Sequence, residues 1–169
     1  MDNDPVDQFA TETALFEAWA REAADEGESA AREALIRITR LYLSALHLPQ
    51  AWSDELSDEA EPDRVSEEER RIIYERCARL PLNHYGEVFN SSVVPPEEPV
   101  VGSIADDIAD IYREVVSGLR AFQEGLRAEA VWIWGFGFRS HWGEHATGAI
   151  RALHCWLAGS AMDRLSTTI

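Results

Sequence analysis

Apolar positions recur at helical spacing in five segments of the chain, and no stretch keeps the two-residue alternation of a half-buried strand. In the first segment Val6, Phe9, Phe16, Trp19 and Ala23 follow Asp4-Pro5, a capping residue with proline at the first helical position. Gly27 is expected to end that helix. The second segment runs from about Glu28 to His47. Leu35, Ile38, Leu41, Tyr42, Ala45 and Leu48 mark its apolar face, and Pro49 stops it. Ser66 and Glu69 have the spacing of a capping box and open a short helix to about Leu80, with Ile72, Ile73 and Cys77 inside. Ser103 and Asp106 repeat the signal before a helix that runs to about Glu124. Its stripe is Ile104, Ile108, Ile111, Tyr112, Val115, Leu119 and Phe122, and Gly125 is its expected C-cap.

The fifth segment, over 128–157, carries the bulkiest face. Between Val131 and Trp156 lie four of the six tryptophans and three of the five histidines. On a helical wheel Trp134, Phe138, His141, Trp142, His145, Ala149, Ala152, Leu153 and Trp156 fall within roughly 120° of arc. His141 and His145 are expected to point into that face. Gly135, Gly137, Gly143 and Gly148 each cost about 1 kcal/mol relative to alanine. They signal close helix approach or a kink near Gly135. Trp132 and Ile133 fall off the stripe and need cover, which leaves a homodimer open.

Two stretches break the helical pattern. An acidic loop spans 49–65, with six acids and no base before Arg64. A long proline-rich loop spans 81–102, where Tyr85, Val88, Phe89, Val93, Val94, Val100 and Val101 are expected to tuck under the domain. The tail after Gly159 is expected to fray. The fold class that follows is all-α: a single domain over 1–169, a helical bundle of about five helices. Its C-terminal pair, 103–124 and 128–157, forms a long antiparallel hairpin.

Composition narrows the function classes. At 169 residues and 46% hydrophobic, one domain can bury a core without staples. The net charge of -16 argues against nucleic acid and against an anionic membrane surface. It suits a basic protein partner, whose binding would weaken with salt. All fifteen positive side chains are arginines. Cys77 and Cys155 have no metal-binding spacing and read as free, buried thiols of a reducing cytoplasm. The N-terminus MDNDPVDQF has no apolar signal core, and no apolar run is long enough to span a membrane.

One polar constellation carries candidate chemistry. The short turn at Gly125 makes the last two helices antiparallel neighbours. That register sets Asp107 opposite His145, and Asp110 and Ile111 opposite Trp142 and His141. Asp106, Asp107 and Asp110 fall on the shoulder or outer side of their own stripe. Three readings stay open. In the structural reading His141 and His145 are core polar residues bonded to carboxylates, and the acids serve the helix N-terminus. In the metal reading His141 and His145, at i and i+4, join Asp107 or Asp110 around a divalent ion. In the third, the same pairs do acid-base work without metal. No nucleophile elbow, phosphate loop or dinucleotide fingerprint is present. No cofactor is expected on the first reading. An interaction or structural module therefore leads, with a metal-binding bundle, a hydrolase included, as the alternative.

The strings YGEVF (Tyr85 to Phe89), EEPVVGSIADDIADIYRE (Glu97 to Glu114) and FRSHWGEHATGAIRALH (Phe138 to His154) resemble a bacterial domain-of-unknown-function family of all-helical cytoplasmic proteins. The likeness spans roughly residues 30 to 155. It implies the helical fold and puts weight on Asp106, Asp107, Asp110, Arg113, His141, Trp142 and His145. It supplies no reaction. Gly86 departs from the pattern, since similar sequences carry a larger residue there.

Overall fold

A computed structural model describes residues 4–22, 26–50, 63–88 and 90–167, with side chains to residue 161. These residues form one mostly helical domain. Its elements are α1 (Pro5–Arg21), α2 (Glu28–Ala45), α3 (Glu67–Cys77), β1 (His84–Glu87), β2 (Val100–Ser103), α4 (Ile104–Gln123), α5 (Arg127–Ser140) and α6 (Trp142–Thr167). The acidic loop expected over 49–65 falls mostly outside the described residues.

The helix starts follow local chemistry. Asp4 accepts from Val6 N–H at 2.9 Å, with Pro5 at the first helical position. Ser66 and Glu69 form the full reciprocal capping box of α3. Ser103 accepts from Asp106 N–H at 3.4 Å to begin α4. Gly27 plays a different part from the one expected. Helix α1 already ends at Arg21, and Gly27, at φ +84°, is the residue before α2. A left-handed backbone there suits glycine alone among common residues.

Helix α4 is central: it meets α1, α3, α5 and α6, while α2 packs on α1 and α6. It is buried nearly all round, from Ile104 and Ala105 to Leu119 and Ala121. A helix covered on every side has no outer shoulder. Asp107 and Asp110, expected on the edge of the stripe, are therefore buried. Trp134 and Trp142 fill the contact among α1, α4, α5 and α6. Trp134 Nε1 donates to Val115 O at 2.8 Å, and Trp142 Nε1 donates to Trp134 O at 3.1 Å. Phe9 meets the Trp134 ring at 4.9 Å between centroids. Gly118 makes the seat: a Cβ there would lie 2.2 Å from Trp134 Nε1.

The expected helix over 128–157 is two helices. The backbone breaks at His141, at φ -155° and ψ -76°, not near Gly135. Gly143 permits the break, because a Cβ on it would meet Phe138 O at 2.2 Å. His141 spans the corner: its N–H donates to Gly137 O at 2.8 Å and its O accepts from Glu144 N–H at 3.0 Å. Helix α6 then continues to Thr167, past the point where fraying was expected. Of the two off-stripe residues, Ile133 is buried within the chain, while Trp132 stacks on half-exposed Phe136 at 5.0 Å.

The 81–102 region also differs. It holds an antiparallel pair with register His84↔Ser103 through Glu87↔Val100. Asn83 fastens it to α4, its O accepting from Ile104 N–H at 2.8 Å and its Oδ1 from Ala105 N–H at 3.1 Å. The Tyr85 ring covers Gly102 across the pair. Val93, Val94, Val100 and Val101 lie on the surface, not under the domain. Ile72 of α3 is exposed as well. No helix among the described residues is long and apolar enough to cross a membrane.

Candidate functional site

Two facing ladders build the site. On α4, Asp107, Asp110 and Glu114 recur at i, i+3 and i+7, so they share one side of the helix. Opposite them stand His145, in the first turn of α6, and His141, at the corner before it. Asp107 Oδ1 lies 2.8 Å from His145 Nδ1. His141 Nδ1 hydrogen-bonds Glu114 Oε1. Ile111 was expected at that place; the break at His141 carries its imidazole nearly one turn further along α4. Gly137 leaves room for the Glu114 carboxylate, which a Cβ would crowd to 2.0 Å.

The two Nε2 atoms then face each other at 3.4 Å, and His145 Nε2 is 3.8 Å from Asp110 Oδ2. His141, His145 and Asp110 each bring one donor atom within 4.8 Å of the others. Asp110 Oδ1 is engaged elsewhere, accepting from Arg70 Nε at 2.7 Å and lying 3.2 Å from Arg113. Arg70 also donates to Asp106 at 2.7 Å. Asp106 thus belongs to the arginine cluster rather than to the imidazoles. Trp142 joins neither group, since it is fully buried in the aromatic core. His141, expected to be buried, is half-exposed.

The hairpin closes the other end. Tyr85 O–H donates to Asp107 Oδ2 at 2.8 Å and also approaches Glu87 Oε2, at 3.3 Å. Gly148 of α6 provides the space, because a Cβ there would lie 2.4 Å from Glu87 Oε1 and 2.5 Å from Tyr85 Oη. Gly86 lines a cleft and a Cβ on it meets nothing within 4 Å, so a larger residue would fit.

Charge follows from these contacts. Burial raises the Asp107 carboxyl above the ordinary aspartate value, against the hydrogen bonds from His145 and Tyr85. His145 is raised above the ordinary imidazole, first by its bond to Asp107 and against its burial. Burial pushes Asp110 up, but the hydrogen bond and charge of Arg70, with Arg113, hold it below the usual range. Tyr85 and Glu87 are both raised, chiefly by burial and then by the charge of Asp107.

Sequence reasoning missed Glu114, Arg70, Tyr85 and Glu87. Glu114 had a signal, since continuing the Asp107–Asp110 side of α4 by one turn reaches it. Arg70 had none, because it enters from an element whose docking no local pattern specifies; Tyr85 and Glu87 stand in the YGEVF string of the family likeness, which gave them no role.

Residues 3–159 match the family described as a domain of unknown function (DUF5063), and the chain belongs to that family. Among solved structures the chain is similar to protein BF1032 from Bacteroides fragilis. The two share 24% identity with a TM-score of 0.74, over 90% of this chain and 91% of that one. At that identity the likeness bears on the fold alone. No curated protein matches the chain.

Proposed function

We propose that this acidic helical protein binds a divalent metal ion through His141 Nε2, His145 Nε2 and Asp110 Oδ2. One observation carries the reading: both imidazoles turn Nε2 toward a common point while a carboxylate holds each Nδ1. A ring that donates Nδ1–H to a carboxylate leaves Nε2 as a bare lone pair. Two such lone pairs at 3.4 Å repel unless they share a cation or a proton. The carboxylates behind them, Asp107 and Glu114, stand where outer partners of metal-binding histidines stand. Asp110 Oδ2 is the one oxygen of its carboxylate left over by the arginines.

The spacing suits zinc. Ligand atoms about 2.1 Å from a tetrahedral ion lie about 3.4 Å apart. The observed 3.4 and 3.8 Å lie near that value, and the third pair, His141 and Asp110, stands within 4.8 Å and would have to close on the ion. Three protein ligands leave a fourth position for water or substrate, the pattern of catalytic rather than structural zinc. Such an ion supplies Lewis acidity and a water that is acidic enough to ionise near neutral pH. Hydrolysis is the reaction class this supports.

Equilibrium dialysis of untagged protein against zinc and cobalt tests it. The expected result is one ion per chain, with a tetrahedral cobalt spectrum. His145→Ala, His141→Ala and Asp110→Asn should each weaken binding at least 100-fold. Uptake that is absent, or unchanged in those variants, refutes it.

A second reading concerns the surface. The net charge of -16 favours a basic protein partner. Capture from lysate at low salt, reversed by 0.5 M salt, would support it. Cys77 and Cys155 are both free thiols, in keeping with a cytoplasmic location. Cys155 is exposed, not buried as expected.

A further inference from the structure

A cleft of about 750 Å³ opens beside His145, between one face of α6 and residues of 82–88 and 90–92. That volume suits a small organic molecule. Its charges are sorted along its length. Glu144 stands beside His145, and the Glu87 carboxylate lies against Gly148, close enough for the charge of Glu144 to act on it. Arg151 stands further along α6, and it has no acidic partner among the described residues. Leu82, Val88, Ala152 and Trp156 supply apolar walls.

We propose that this cleft binds a short peptide with free termini, its ammonium group at Glu87 and Glu144 and its carboxylate at Arg151. A simple anion would meet two carboxylates at one end, and a simple cation would meet a guanidinium at the other. A zwitterion satisfies both. Length selects the class further. Glu144 and Arg151 are seven residues apart on one helix, about 10 Å at 1.5 Å per residue. An extended chain covers about 3.3–3.6 Å per residue, so about three residues span the distance. An apolar side chain would rest against Trp156 and Leu82. The peptide contacts need no ion, so the assignment goes beyond the metal reading and does not depend on it.

The test uses the tripeptide Ala-Ala-Leu in four forms: free, N-acetylated, C-amidated and doubly blocked. Titration calorimetry is run on the full chain, once with chelator and once with zinc. Each single block should weaken binding tenfold or more. Arg151→Ala should weaken the free peptide by a similar factor and remove the effect of amidation. Glu87→Gln with Glu144→Gln should do the same for acetylation. Thermal melts by circular dichroism confirm that the variants fold; Arg151 and Glu144 are exposed on α6, so their replacement should not disturb it. Equal binding of all four forms, or no binding of any, overturns the proposal. Peptide binding without ion uptake would uphold the cleft and end the metal reading. Ion uptake without peptide binding would do the reverse.

Discussion

The two sides of α4 treat buried charge in opposite ways. Toward α3 its charges meet permanent opposite charges: Arg70 bridges Asp106 and Asp110, and Arg120 pairs with Glu69. Toward α6, Asp107 and Glu114 meet imidazoles, whose charge depends on pH. The first arrangement is closed, because each guanidinium stays ionised at any working pH. The second leaves two ring nitrogens and one carboxylate oxygen without a fixed partner. The contrast separates charge that holds the helices together from charge that is open to ligands and protons.

The largest effect should come from breaking the closed side. Arg70→Met keeps much of the side-chain volume but leaves buried Asp110 with only the more exposed Arg113 beside it. Removing one partner of a buried pair costs about 3 kcal/mol, which is the upper end expected here while Arg113 stays in place. Urea denaturation should show that loss. His141→Ala, on the open side, removes a half-exposed ring and should cost under about 1 kcal/mol. Equal losses in the two variants would erase the distinction between the sides.

The open side should instead show its weight in ion affinity. Asp107→Asn and Glu114→Gln leave all three proposed ligands in place but unsettle the two rings. Changes behind a ligand typically lower metal affinity about 10–100-fold. Zinc titration should find that range for both, and no change for Arg120→Met. An affinity that ignores Asp107 and Glu114 would mean that the rings need no support.

The same contrast explains what the sequence disclosed. Capping is local, so Asp4-Pro5, Ser66-Glu69 and Ser103-Asp106 placed three helix starts. The Gly125 turn is short, so the hairpin register brought Asp107 to His145. The corner at His141 was hidden, because it depends on Gly143 lying against Phe138 O, a contact between two helix ends. The β-pair was hidden for another reason. Each strand has four residues and neither alternates apolar with polar positions: β1 reads HYGE, and β2 opens on two exposed valines. Arg70 reached the site only through the packing of α3 on α4, which no periodicity encodes.

Titration should separate the sides by sign. The hydrogen bond from Arg120 holds Glu69 down at about 2, against 4.5 for an ordinary glutamate. Its ionised form therefore stabilises the fold fully above pH 4.5, and that stability drains as pH falls toward 2. With the carboxylate about one-third exposed, solvent screening leaves about 1–2 kcal/mol. His145 is raised instead, first by its bond to Asp107. In chelator-treated protein its contribution is complete below pH 6.5 and is lost as pH rises through the raised value. Stability curves of Arg120→Met and Asp107→Asn should flatten the acid limb and the neutral limb respectively. Both variants flattening the same limb would contradict the assignment.

Neutral polar groups provide the smallest and sharpest control. Thr13 in α1 is fully buried, and its Oγ1 has no hydrogen-bond partner among the described residues. It belongs to neither side of α4: no charge holds it, and no ligand group faces it. An unpaired buried hydroxyl keeps its desolvation cost without return. Thr13→Val exchanges that hydroxyl for a methyl, retains the β-branch, and leaves helix propensity nearly unchanged. Stability should therefore rise by about 1 kcal/mol. Zinc affinity and both limbs of the pH profile should stay where they are, since the substitution touches no ionisable group. A loss of stability would show that the hydroxyl is satisfied after all. The polar groups of this core would then have to be sorted by something other than whether their partners are fixed, conditional or missing.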